Sequence, residues 1–140
     1  MKMGKVDIEE NPLEDVPESY QRYLDEIYNI SRKKKGGWVS NKELAEQLNV
    51  KPASVSGMLI KLKDNDLIRW ERRKSIRLTE KGKEVASHLN ETHSLLREFF
   101  EKVLKIKDFD VIEDLACEIE HHITRDVHDS LKKFLDKYLE

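Results

Sequence analysis

One cysteine in 140 residues excludes an internal disulfide framework and fits a reducing compartment. Three prolines and 5 glycines exclude a collagen-like or linker-like chain. No apolar run approaches the ~20 residues of a membrane span. The opening Met1-Lys2-Met3-Gly4 leads into acidic sequence rather than an apolar signal core. These absences point to a cytoplasmic chain with no membrane association. What is abundant is charge, 39% of residues, against 38% in the hydrophobic set, a balance suited to helices with solvated faces. The length suits one ordinary domain or two small ones, and is short for a large cofactor enzyme.

The net charge of -2 conceals a strong asymmetry. Residues 1–30 carry a net -5, residues 31–84 a net +8, and residues 85–140 a net -5. A basic block between acidic blocks suits a nucleic-acid-binding module joined to a non-binding one, although a solvated basic surface gives the same count.

Residues 1–16 are acidic and interrupted by Pro12, and read as a mobile arm. Tyr20, Tyr23, Leu24, Ile27, Tyr28 and Ile30 recur at helical spacing and predict a helix from Glu18 to about Lys34, stopped by Gly36-Gly37. Ser40 and Glu43 form a capping box that opens a short helix carrying Leu44, Ala45 and Leu48. After the turn at Asn49-Val50-Lys51, Pro52 suits the first position of a helix reaching about Asp64, with Val55, Met58, Leu59 and Leu62 inward. Leu67–Trp70 and Ser75–Leu78 predict a two-stranded hairpin. A long helix to about Leu104 follows, then helices over about Phe109–His122 and Arg125–Leu139. The predicted organisation is an arm (1–16), a winged helix-turn-helix DNA-binding domain (17–84) and a helical dimerisation and metal-binding domain (85–140), mostly α throughout.

A helix, a tight turn, a second helix and a basic hairpin form the winged helix-turn-helix arrangement. The second helix enters a ~12 Å major groove only with a short or polar outer face. Ser54, Gly57 and Lys61 share one such face, and Lys51 at the helix start can meet phosphate with the backbone N–H groups. The hairpin tip Arg72-Arg73-Lys74, flanked by Arg69 and Arg77, supplies sequence-independent attraction to the DNA backbone.

A second constellation lies in the predicted helix 109–122. Glu113, Cys117, Glu120 and His121 fall on one stripe, costly to bury without a divalent cation. Mixed soft and hard donors favour Fe²⁺, Mn²⁺ or a related ion over Ca²⁺ or Mg²⁺. His93 and Asp25 are candidates to complete the set. Each residue also has an ordinary reading: His93 hydrogen-bonded in a core, Asp25 a surface carboxylate, Cys117 a buried apolar residue. His88, His122 and His128 form no comparable group and read as solvated or locally hydrogen-bonded.

Tyr23–Tyr28, Val39-Ser40, Leu44–Val50, Pro52–Ser56, Leu78–Gly82, His93 with Leu95-Leu96, and Cys117-x-x-Glu120-His121 together resemble the diphtheria toxin repressor and manganese transport regulator family, in order from about Glu18 to His122. The resemblance implies the short form of the family, without its SH3-like domain, acting as a dimeric repressor on double-stranded operator DNA. It implies activation by Mn²⁺ or Fe²⁺, with Zn²⁺ able to substitute in vitro. The family's metal positions fall on Asp25, His93, Cys117, Glu120 and His121, with Glu113 at a secondary position. Ser56, in the matching segment beside Ser54, joins the DNA-facing set. Two family ligand positions are occupied by Arg22 and Arg97, which cannot coordinate a cation. A regulator with a degenerate metal site is therefore the alternative. A zinc hydrolase built on His93, Glu120 and His121 is a third reading, weakened by the missing nucleophile and phosphate cradle.

Overall fold

A computed structural model describes residues 11–71 and 75–140. The chain divides into two compact units, one of Val16–Ser87 and one built on His88–Glu140 with the described residues before Val16.

In the first unit, α1 (Glu18–Arg32) buries Gln21, Leu24 and Ile27 on one face. The Gln21 amide donates to the Val16 carbonyl at 2.8 Å, which satisfies it inside. Gly36, at φ +88°, turns the chain after the helix, where a side chain would be strained. The expected capping box opens α2 (Asn41–Leu48): the Glu43 N–H donates to Ser40 Oγ at 3.0 Å, and the Ser40 N–H donates to the Glu43 carboxylate at 2.9 Å. Lys34 Nζ also reaches that carboxylate at 2.7 Å and, with the Ser40 N–H, holds it below the usual glutamate range. Asn49 closes α2 in the left-handed region at φ 57°. Pro52 then starts α3 (Pro52–Asp64), which buries Val55, Leu59 and Leu62.

Strands β1 (Ile68–Trp70) and β2 (Ile76–Leu78) pair antiparallel in the register Ile68–Leu78, Arg69–Arg77, Trp70–Ile76. The period of two turns Ile76 and Leu78 inward and leaves Arg77 exposed. Val39 extends this pairing by exchanging two backbone hydrogen bonds with Ile76, at 2.9 and 2.7 Å. Thr79 caps the next helix, accepting from Gly82 N–H at 3.0 Å while its hydroxyl donates to the Asp66 carbonyl. At Gly82 a Cβ would stand 2.1 Å from the Leu67 carbonyl oxygen, so only glycine permits this approach.

Helix α4 (Glu80–Glu98) runs on into the second unit. It gives way to a π-helical segment, Phe99–Val103, rather than continuing as α-helix to Leu104. Asp108 caps α5 (Phe109–Ile119) by accepting from Asp110 N–H at 3.0 Å. The expected helix to His122 ends at Ile119, and Glu120–His122 tighten into a 3₁₀ turn. Helix α6 (Arg125–Tyr138) closes the described chain. The core of this unit is Leu96, Phe100, Ile112 and Ala116, flanked by Phe99, Ile106, Ile119, Ile123 and Leu131. No helix among the described residues is long and apolar enough to cross a membrane.

Candidate metal centre and nucleic-acid interface

In the first unit, α3 buries its apolar stripe and leaves Lys51, Ser54, Gly57 and Lys61 exposed, as the spacing predicts. Ser56 departs from that set. It is half-buried, and its Oγ accepts from Asn41 Nδ2 at 3.1 Å, which ties α2 to α3. Arg69 and Arg77 stand directly opposite each other on the exposed face of the hairpin. Like charges so placed repel unless an anion faces them. The Arg77 guanidinium also lies 5.0 Å from the ring centroid of Trp38, a cation–π contact that fixes its direction. Arg72, Arg73 and Lys74 lie outside the described residues. Two exposed apolar residues escaped the sequence reading, Trp38 beneath Arg77 and Ile60 beside Lys61 on α3. Their exposure is the signal, and it exists only once the fold is known.

In the second unit, four of the proposed ligands converge: His93 from α4, Glu113 from α5, and Glu120 and His121 from the 3₁₀ turn. His93 Nδ1 lies 2.7 Å from Glu120 Oε1, and His93 Nε2 lies 3.2 Å from Glu113 Oε1. The other Glu120 oxygen is 3.7 Å from His121 Nε2. Glu120 and His121 are buried, at 3% and 7% exposure. Burial of a carboxylate at that depth requires cationic or hydrogen-bonding company. The Glu120 hydrogen bond is the main reason His93 is held above its ordinary pKa, against the opposing effect of burial. With both ring nitrogens on carboxylates, the imidazolium is the form that donates twice.

Cys117 is not part of this buried group. Cys117 is exposed on α5, while Glu120 and His121, in the 3₁₀ turn that follows Ile119, are buried. Asp25 belongs to the other unit, half-buried on α1 beside Glu26, whose carboxyl is pushed up by burial and then by Asp25. Arg22 pairs with Glu18 on the same helix. Arg97 Nε lies 2.8 Å from Glu113 Oε2, and its guanidinium rests 5.6 Å from the Phe109 ring centroid. Among the described residues, no group of three or more His, Cys, Asp or Glu side chains is arranged to hold a metal ion as the side chains stand. The reason is local: the contacts are hydrogen-bond distances spanned by the His93 ring, whereas metal–ligand bonds are ~2.0–2.2 Å. The donor chemistry, two carboxylates and two imidazoles of low exposure, is nonetheless that of a divalent transition-ion site.

His88 and His128 are buried rather than solvated. Their rings stack at 5.1 Å, His88 Nε2 meets the Ile123 carbonyl at 2.8 Å, and His128 reaches Glu91 and Asp129. The pair, with partners 35 and 37 residues away, is thus a buried group that the reading as solvated or locally hydrogen-bonded residues did not expect, whereas His122 is exposed.

Residues 15–76 match the iron dependent repressor N-terminal DNA binding domain, and residues 79–139 match the metal binding and dimerisation domain of the same repressors. The HTH-type transcriptional regulator MntR of Shouchella clausii is 33% identical over 122 residues, covering 87% of this chain and 82% of its own length. The chain belongs to the iron-dependent repressor family. The manganese regulator SloR is 33% identical with a TM-score of 0.67, covering 83% of this chain and 53% of that one. A manganese-dependent transcriptional repressor solved in complex with manganese is 25% identical, with a TM-score of 0.69 and coverage of 83% and 52%. The chain thus spans about half the length of these solved relatives. Family members among the curated relatives are transcriptional regulators and not enzymes, which removes the hydrolase reading.

Proposed function

We propose that this family member is a metal-activated repressor that binds double-stranded operator DNA as a homodimer in the cytoplasm, with Mn²⁺ or Fe²⁺ as the activating ion and Zn²⁺ able to substitute in vitro. The observation that carries this reading is Glu120, a buried carboxylate whose two oxygens face two imidazoles, His93 and His121, on a chain that also carries a winged helix. A divalent cation there would exchange for the His93 proton and neutralise both carboxylates. Glu113 holds the secondary position behind His93; Cys117, exposed on α5, and Asp25, on the other unit, are candidates that this cluster does not include.

The DNA-binding half runs over residues 17–84 in this proposal; of the expected arm before it, residues 1–10 lie outside the described residues, and Leu13 and Val16 are buried rather than free. Lys51, Ser54, Gly57 and Lys61 face the major groove, while Ser56 acts through Asn41 to fix the helix pair. Arg69 and Arg77, with Arg72, Arg73 and Lys74, contact phosphates. Dimerisation uses residues 85–140. Phe134 and Tyr138 stack at 5.5 Å yet remain 46% and 50% exposed, and Val127 on the same helix is also exposed. An apolar face of this kind on an otherwise charged helix favours a second copy as its cover.

The test is binding to a DNA sequence selected from a random pool, titrated with Mn²⁺, Fe²⁺, Zn²⁺ and chelator, for the wild type and Glu120→Ala. Metal-strengthened binding lost in Glu120→Ala is expected. A metal-independent regulator with a degenerate site, the reading that Arg22 favours, gives one affinity in every condition.

A further inference from the structure

The metal-site reading leaves one charged group without a role. Arg97 is half-exposed, and its guanidinium contacts Glu113 at 2.8 Å while lying over the Phe109 ring. Resting on the metal reading above, we propose that Arg97 stands in the place of a second cation. Each subunit then binds a single divalent ion, on the Glu120 and His121 side, and Glu113 serves as a positioning residue for His93.

Donor counting supports this. The two Glu113 oxygens are already allotted, Oε1 to His93 Nε2 at 3.2 Å and Oε2 to Arg97 Nε at 2.8 Å. The Oε2 atom is buried and accepts no aligned hydrogen bond, so the contact with Arg97 is one of charge. A carboxylate oxygen removed from water without a hydrogen bond is stable only against a cation, and the guanidinium is permanently charged. It cannot act as a ligand, having no lone pair to give. A second ion at Glu113 would therefore meet a resident positive charge at contact distance.

Charge counting agrees. Glu113 and Glu120 carry two negative charges and Arg97 one positive. One divalent ion leaves a single excess positive charge in the group, and a second ion raises the excess threefold. The histidine also divides the site. An imidazole that ligates through one nitrogen is commonly steered by a carboxylate on the other, which fixes its tautomer. His93 has that form, with Nδ1 toward Glu120 and Nε2 toward Glu113. Glu113, neutralised by Arg97, is the steering carboxylate.

The test counts Mn²⁺ bound per subunit, from the loss of the free-ion electron paramagnetic resonance signal during titration and from the metal content of desalted protein. Wild type and Arg97→Lys are expected to bind one ion per subunit. Arg97→Glu removes the resident charge and adds a carboxylate, and is expected to bind two, with the spectrum of a magnetically coupled pair ~3.5–4 Å apart. Far-UV circular dichroism checks that each variant is folded. Two ions in the wild type, or one in folded Arg97→Glu, would overturn the role given to Arg97 and leave the metal-site reading intact. No bound ion in the wild type overturns that reading and this inference with it.

Discussion

The hairpin-bearing unit and the histidine-bearing unit are built by different kinds of information. In Val16–Ser87 each turn is specified by residues within a few positions: Ser40 with Glu43, Asn49, Pro52, and Thr79 with Gly82. In His88–Glu140 the functional cluster is closed across long separations, His93 to Glu120 being 27 residues apart. Local signals fix backbone conformation cheaply and independently. The distant cluster forms only when α4, α5 and the 3₁₀ turn have already packed. Damage in the first unit should therefore appear as lost stability, and damage in the second as lost response with the fold retained.

The largest expected effect lies in the first unit. Gly82→Ala sets a Cβ 2.1 Å from the Leu67 carbonyl, against backbone that cannot rotate away. Thermal melting should show a loss of about 1–3 kcal/mol or more. A wild-type melting curve would show that the start of α4 shifts freely, contrary to this account. Ser40→Ala comes next. It removes half of the capping box and should cost roughly 0.5–2 kcal/mol, whereas Glu120→Gln should keep the fold. If Ser40→Ala melts as wild type, the local character assigned to this unit is wrong.

This contrast explains how much the residues disclosed in advance. The helix starts at Glu18, Pro52 and Phe109 and the hairpin were legible because caps, proline and alternation act locally. The helix ends in the second unit were not. The π-helical segment at Phe99–Val103 places an extra residue in the turn, with Leu104 N–H donating to the Phe99 carbonyl, and so breaks the 3.6 period that carried the helix to Leu104. The change to 3₁₀ geometry after Ile119 was likewise not legible, nor that Glu120 and His121 are buried there while Cys117 is exposed. A helical wheel drawn through residues 109–122 assumes a uniform period and so puts Cys117 with them. The pairing of Glu113 with Arg97 was beyond sequence reasoning because it joins two helices.

The DNA-facing surface offers a milder comparison. Arg77→Ala should weaken binding to selected and random DNA alike and lower the salt slope by about 1, while Ser54→Ala should change discrimination between sequences. The paired change Arg72→Ala and Arg73→Ala should act as Arg77→Ala does, more strongly. A change of sequence preference with an unaltered salt slope in Arg77→Ala would reverse these roles.

The smallest effect concerns protons. Burial holds His88 below its ordinary pKa, aided by the facing His128 and Arg125 and opposed by the Ile123 carbonyl and Glu91. The unfolded chain then binds more protons, so stability is complete above the ordinary histidine value and falls as pH drops through it toward the folded value. His93 has the opposite sign, being held up by Glu120. Its contribution is present below the ordinary value and is lost as pH rises through the folded one. In metal-free protein, His88→Gln should lose less melting temperature than wild type between pH 7 and pH 5.5, roughly the range in which histidine titrates. An equal loss would place the acid sensitivity elsewhere.

The account's central claim is that the buried cluster around Glu120 couples metal to DNA. The most direct measurement is the affinity for selected operator DNA with saturating Mn²⁺ and again with chelator, at one salt concentration. The account predicts binding about 5–150-fold tighter with metal, the range of an ordinary coupling between sites, and no difference in Glu120→Ala. Equal wild-type affinity in Mn²⁺ and chelator, with Fe²⁺ giving the same value, would contradict it.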